Sequence, residues 1–410
     1  MRSDSRHEGT RPEGAQEMVN RVKRLAIGAL SLIMLFGVIT IAQGPASGAE
    51  DSAVARLGPG EGAAFAMTNR STNNQIISYK RAANGTLTRV GNISTRGNGI
   101  GVDLDTQGGL RLSSDNRFLY AANAGSDEVT VFGVNGTQLT FLQKVYAGDQ
   151  PLSLTINGNL LYVLDGSVAG NGILGFRRGS NGTLTPIPNS FRELSSPIAV
   201  PGQVEFSPDG RLLLVTQKTT NTLLTPANAI DVFRVASNGL ATVMPRREAS
   251  NGIRPFSMAF RSNSQLLVVE SFNAADSASA VSSYRVSADG ALNVISGSVP
   301  NQQTDACWVV ITPDGRYAFI ANFGSGTISA YRFGLGGRVR LLDGNAAFLG
   351  ADSQPVDLAL SADGRYLYLL LRGTGGVASF EIQDDGSLSP LGVVTGGLPV
   401  ADGASGLAVY

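Results

Sequence analysis

Histidine is nearly absent: His7 is the only one in 410 residues, and it precedes the long apolar run near the N-terminus. The rest of the chain therefore has no Ser-His or Cys-His nucleophile pair, no His-ligated haem and no His-rich zinc site. Cysteine is as scarce. Cys307 stands alone, so no disulfide can form within the chain and no Cys-based metal cluster is possible. From Glu50 onward the lysines are Lys80, Lys144 and Lys218, and 26 Lys/Arg stand against 28 Asp/Glu. That balance excludes a dense basic face for nucleic acid or anionic lipid. No G-x-S-x-G, P-loop, HExxH or EF-hand pattern occurs. Gly97-Asn98-Gly99-Ile100-Gly101 is a glycine-rich loop with no helical pattern behind it.

Glycine is what the chain has in quantity, 51 residues against a charged fraction of 16 %, the composition of an all-β protein with many tight turns. One unit recurs. It is clearest in Thr312–Phe333, TPDGRYAFIANFGSGTISAYRF, preceded by the apolar run Trp308–Ile311. Asp314-Gly315 is a hairpin dipeptide, because Gly tolerates φ > 0 and Asp hydrogen-bonds its own turn. Tyr317–Ala321 is apolar enough for a strand buried on both faces. Gly336-Gly337 then turns the chain into a fourth strand, Val339–Leu342, so four strands fit in roughly 50 residues, the length of one propeller blade.

Copies of the first half begin at Ser113, Ser207 and Ser361, with degenerate ones at Ile156 and Arg261. The second half repeats more strictly. Aromatics stand at Tyr79, Phe132, Phe176, Phe233, Tyr284, Tyr331 and Phe380, followed by Gly85, Gly136, Gly182, Gly239, Gly290, Gly337 and Gly386. The spacing is six residues in every pair except Phe132–Gly136, where it is four. Seven repeats predict a seven-bladed β-propeller over 63–410. Blade one lacks an innermost strand, because Ala63–Asn69 matches the second strand of the unit. Gly403–Tyr410 resembles the missing first strand, so the C-terminal strand is expected to complete blade one and close the ring, because an open ring would leave exposed sheet edges on both terminal blades. Inserts at Arg96–Asp105, Asn221–Asn228 and Asn273–Ala280 fall on loops, where function is often carried and where ordinary length variation also occurs.

The N-terminus is organised differently. A basic region ending in Arg21, Lys23 and Arg24 precedes the 18-residue apolar stretch Leu25–Ala42, and small residues at Ser47 and Ala49 suit cleavage after Ala49. Residues 1–49 are expected to be a signal peptide or an uncleaved N-terminal anchor, with 50–62 a flexible lead-in. Met18 is an alternative start to Met1. The protein is expected to be exported, either secreted or held in the cell envelope.

In each unit the first strand runs into the Asp-Gly turn and the second runs out of it. The starts of first strands and the ends of second strands must therefore share the opposite face. The ends are Asn69, Asn123, Asp165, Gln217, Glu270, Asn322 and Arg372; the starts are Gln150, Gln203, Arg254, Asp305 and Gln354. Such a ring of polar groups marks a wet, hydrogen-bonding mouth of the central channel. Its alternative role is to satisfy loop backbone groups, above all for Asn69, Asn123 and Asn322. Arg254 and Arg372 suit a ligand carboxylate or phosphate, with Asn123, Asn322 and Asp305 beside them. Glu270 or Asp165 is the candidate to activate water. Arg254 and Glu270 belong to one unit and are also candidates for a plain ion pair.

From Ala63 onward the chain resembles the lactonase-type seven-bladed propellers, the 6-phosphogluconolactonase and 3-carboxymuconate cyclase-like family. The resemblance rests on SPDGRLLLVT, TPDGRYAFIANFGSGTISAYR, SADGRYLYLL, DGSLSPLG and NGTLTPI. It implies hydrolysis or isomerisation of a lactone or carboxylated cyclic ester. Family enzymes place Gly-Pro-Arg-His at the start of an inner strand and a Glu at the end of the next. Here the stretches read Val200-Pro201-Gly202-Gln203 and Thr216-Gln217-Lys218, leaving Arg254 and Glu270 as the matches. Two function classes follow: a lactonase-like hydrolase, or a non-catalytic propeller binding a ligand or protein at the cell envelope. The expected partner is a small anionic or cyclic ester molecule, with no cofactor, no metal and no nucleic acid. The expected state is a monomer that meets a membrane only through an uncleaved N-terminal segment.

Overall fold

The Asp turns build one device four times. Ser113, Ser207, Thr312 and Ser361 donate their hydroxyls to Asp115, Asp209, Asp314 and Asp363 at 2.5–2.7 Å. Each hydroxyl also accepts the backbone N–H that opens the next strand, at Phe118, Leu212, Tyr317 and Tyr366, at 3.0 Å. The turn residue that follows is left-handed: Gly210, Gly315 and Gly364 have φ near +70°, and Asn116 takes their place at +55°. Asn is the side chain that best tolerates that region.

A computed structural model describes residues 57–410 apart from 168–169, 197, 219–227 and 401. The expected leader, the start of the lead-in and most of the Asn221–Asn228 insert lie outside the described residues. The strands form seven antiparallel sheets. Blade II, for example, is Leu110–Leu112, Phe118–Asn123, Glu128–Asn135 and Gln138–Tyr146, and blade VI is Ala306–Ile311, Tyr317–Asn322, Thr327–Phe333 and Val339–Phe348. Blade III splits its outer edge between Leu184–Pro186 and Arg192–Glu193. The first strands contact one another in sequence around the ring, and Leu407–Val409 sits between those of blades VII and II. Leu407, Ala408 and Val409 pair with Ala66, Phe65 and Ala64, so the C-terminal strand completes blade I as expected. Among the described residues the only helices are two single 3-10 turns.

Second strands are buried along their whole length in blades II, VI and VII, because neighbouring sheets cover both faces. Outer strands such as Gln138–Tyr146 alternate between half-buried and exposed. The seven repeating aromatics are all buried.

Packing explains the glycine that follows each aromatic. A Cβ on Gly182 would lie 2.1 Å from the Phe118 ring of the preceding blade, and one on Gly85 would lie 2.3 Å from Tyr366. Gly386 meets Tyr317 in the same way. The carbonyls of these turns are anchored as well. Tyr120, Tyr162 and Tyr368 donate their hydroxyls across the blade boundary to Gly182, Gly239 and Gly85 at 2.7–2.9 Å. The exceptional spacing at Gly136 belongs to a tighter turn with Asn135 opposite Gln138. There the carbonyl accepts from Tyr410 of the closing strand.

Candidate functional site

At the mouth opposite the Asp turns the backbone still repeats in three blades but the side chains do not. Arg254, Asp305 and Gln354 each stand one residue before the innermost strand of blades V, VI and VII. All three are left-handed, with φ of 56°, 53° and 46°. A non-glycine residue held there costs roughly 1–2 kcal/mol, and such strain concentrates at functional positions.

The insert after blade I supplies the rest. Its end does not stay on the surface but crosses the channel. Gln107 donates to the carbonyl of Val309 at 3.0 Å and accepts that residue's N–H at 2.9 Å. On the opposite side its own N–H reaches Gly202 and its carbonyl accepts from Ser153 at 2.5 Å. Thr106 donates to Leu152 at 3.1 Å and accepts the Trp308 indole N–H at 3.1 Å. Leu104 is buried. The segment is thus a plug tied to several blades, and it carries Asp103 and Asp105 on its mouth side. Asp105 has φ of 53° and its N–H donates to Asp103 at 2.9 Å.

These carboxylates gather the mouth's cations. Lys218, at the end of the second strand of blade IV, is wholly buried and donates to Asp105 at 2.6 Å, and it also donates to the Asp105 carbonyl. Arg254 reaches the same carboxylate at 3.3 Å. Arg372 reaches Asp103 at 3.3 Å. Aromatic faces back the cations: Lys218 Nζ lies 4.2 Å from the Phe256 centroid and the Arg372 guanidinium 5.4 Å from that of Phe323. Trp308 packs against both rings. Burial pulls the Lys218 ammonium below its ordinary range, and Asp105 opposes that shift. Burial pushes Asp103 up against the Asp105 N–H and Arg372, and it pushes Asp305 up against the pull of Arg254. The Nε–H groups of Arg254 and Arg372 are buried without a protein acceptor.

Of the residues expected at this mouth, Arg254, Arg372 and Asp305 join the cluster. Asn123, Asn322, Asn69 and Asp165 are instead held at the linkers and strand ends of their own and neighbouring blades. Asn123 is buried, donating to Thr130 at 2.9 Å and accepting from Asn74 and Thr95. Asn322 donates to Thr327 and Ser329 and accepts from Asn301. Asn69 holds Val102 and Gly403, clamping the insert to the C-terminal segment. Asp165 accepts the N–H groups of Asp149 and Ser167, both at 2.9 Å.

Glu270 is fully enclosed. It accepts from the Gly252 N–H at 2.8 Å and the Ser298 hydroxyl at 2.7 Å, and burial pushes its carboxyl up. Arg254 pairs with Asp105 and not with Glu270, although Pro255 and Glu270 face each other in the ladder. Glu270 is spent on the linker N–H of Gly252 and the outer-strand hydroxyl of Ser298, whereas Lys218 and Arg372, which also stand at second-strand ends, reach the plug carboxylates.

Sequence reasoning missed Asp103, Asp105 and Lys218. The sign for Lys218 was its rarity in a chain almost free of lysine. The sign for the aspartates was the insert itself.

The model of the family described as lactonase, 7-bladed beta-propeller, matches residues 56–200 and 271–355. A 6-phosphogluconolactonase of Yersinia enterocolitica is 24 % identical over 295 residues, covering 61 % of this chain and 86 % of that protein. Among solved structures, a Bacteroides uniformis protein named as a candidate 6-phosphogluconolactonase aligns over 86 % of this chain and all of its own, with 16 % identity and a TM-score of 0.67. The periplasmic gluconolactonase of Pseudomonas aeruginosa aligns over 85 % of this chain and 99 % of its own, at 16 % identity and a TM-score of 0.64. At these identities the two structures establish the shared fold alone.

Proposed function

Since the chain belongs to the lactonase family of seven-bladed β-propellers, we propose that it opens a lactone ring at the mouth formed by Arg254, Asp305 and Arg372. The observation that carries this reading is the meeting of strained Arg254 and Asp305 with buried cations at a single mouth. Lactone hydrolysis needs a base for water and donors for the tetrahedral oxyanion. Asp305, kept near charged partners but pushed up by burial, accepts the proton as water oxygen bonds to the carbonyl carbon. Arg254 and Arg372, each with part of its side chain exposed, receive the oxyanion. Collapse breaks the ring C–O bond, and the departing alkoxide takes back the proton held by Asp305, leaving a hydroxy acid and the carboxylate restored. Glu270 and Asp165, whose oxygens are held by loop groups, act as positioning residues in this reading.

The test is a pH-stat record of lactone opening by the mature protein over a panel of aldonolactones. Asp305→Asn should lower the rate by about 100-fold or more, the scale of a general base. Arg254→Gln should cost a similar factor, as loss of an oxyanion donor does. A wild-type rate no faster than buffer sinks the proposal.

A second reading, ligand binding without turnover, is favoured by one observation. The family's His and Glu positions hold Gln203 and Gln217, both enclosed and bonded to Glu205, Met258, Ser195 and Asp231. It predicts thermal shifts with lactones and no ring opening. Export is part of the proposal, supported by the leader pattern at 1–49. Fractionation of cells expressing the full chain tests it.

A further inference from the structure

The donors at the mouth are already taken by the chain's own carboxylates. All the charge that Lys218 presents is directed at Asp105 and at the Phe256 face, and its side chain has no exposed surface. Arg254 shares the same carboxylate at 3.3 and 3.5 Å. Arg372 is matched by Asp103 at 3.3 Å. With Asp305 added, three cations stand among three carboxylates. A phosphate dianion would need to displace Asp103 and Asp105 before it met free positive charge.

That displacement is opposed by the plug. Asp103 and Asp105 lead directly into Thr106 and Gln107, which are bonded to blades III, IV and VI. Moving the carboxylates would break buried hydrogen bonds, each costing about 1–3 kcal/mol when a polar group is left unpaired. What the mouth offers freely is different: carboxylate lone pairs, which accept O–H groups, and the half-buried Phe323 ring. That set suits a polyhydroxylated ring without formal charge.

From this we infer that Asp103 and Asp105 are specificity-determining residues that admit an uncharged hydroxylated lactone and reject its phosphorylated counterpart. The inference rests on the mouth assigned under the proposed function, but it concerns binding and does not require turnover. Removing either carboxylate releases a guanidinium or ammonium for an anion, so selectivity should shift with a single oxygen-to-nitrogen change.

The probes are a gluconolactam, which is neutral and resists hydrolysis, and the same lactam carrying a 6-phosphate. Titration calorimetry on the mature protein should give at least tenfold tighter binding of the neutral lactam. Asp105→Asn and Asp103→Asn should each tighten the phosphorylated lactam by about tenfold, lowering or inverting the ratio. Wild-type protein that binds the phosphorylated lactam equally well or better overturns the inference. So does a ratio unchanged in both folded variants, and so does a wild type that binds neither probe. If neither variant folds, the wild-type ratio decides. Selective lactam binding with no lactone opening sinks the proposed function and leaves this inference standing. Turnover that prefers the phosphorylated lactone does the reverse.

Discussion

The two faces of this ring are made from the same strands and differ in almost everything else. On the turn face four of the seven blades repeat one solution: a hydroxyl, an Asp and a left-handed Gly or Asn. Near the same rim, six turn glycines pack against the preceding blade. At the mouth three blades share a left-handed residue whose carbonyl accepts the N–H that follows the second strand, but the side chains there, Arg254, Asp305 and Gln354, no longer repeat. Repetition serves architecture here, and departure from it marks the place where side chains do something other than pack.

The sharpest way to break that comparison is Gly182→Ala. Its φ of +84° and its approach to Phe118 leave no room for a methyl group, so a loss of about 3–5 kcal/mol is expected in denaturant unfolding. Gly350→Ala, with φ of +103° and nothing near its Cβ position, should cost only about 1 kcal/mol. Equal losses would show that close packing between blades is not what selects glycine.

Asp357 tests the inner wall of the channel. Burial raises its carboxyl to about 6, opposed by the N–H groups of Gly406 and Gly108 and by Arg111 and reinforced by Asp103. The folded state thus holds a proton that the unfolded chain releases near its ordinary value of 3.8. Stability from this group is greatest below pH 4 and is lost as pH rises through 6, by about 3 kcal/mol. Unfolding of wild type and Asp357→Asn should diverge over that interval, with the variant gaining relative to wild type. Parallel curves would remove the buried carboxylate from the account.

Smaller effects separate the faces further. Ser207→Ala removes a hydroxyl bonded to Asp209 and to the Leu212 N–H and should cost about 1 kcal/mol with ligand affinity unchanged. Arg254→Gln should move stability by less than about 1 kcal/mol, as loss of a partly exposed ion pair does, while abolishing ligand binding. A variant that unfolds readily would make Arg254 a structural residue.

The seven blades, their boundaries and the closing strand were legible because each rests on a local pattern that repeats: a turn dipeptide, an apolar second strand, and an aromatic six residues before a glycine. The site was legible only in part. Arg254, Asp305 and Arg372 could be placed at the mouth from topology. Asn123, Asn322, Asp165 and Glu270 share the same edge of their sheets, yet the two asparagines bond to neighbouring side chains and the two acids to linker N–H groups instead of facing the channel. Sequence position gives the edge of a sheet but not the partner each side chain finds there. Asp103 and Asp105 were illegible for another reason. An insert that threads a channel reads like any glycine-rich loop until Gln107 and Trp308 are seen to hold it.

Amide hydrogen exchange with and without the gluconolactam compares the faces in one experiment. The account predicts added protection at 103–107, 253–257, 304–308 and 371–374, and none at the turns 113–117, 207–211 and 312–316. Protection confined to those turns, or to the depression of about 340 Å³ beside Arg111 and Glu205 on their face, would contradict it.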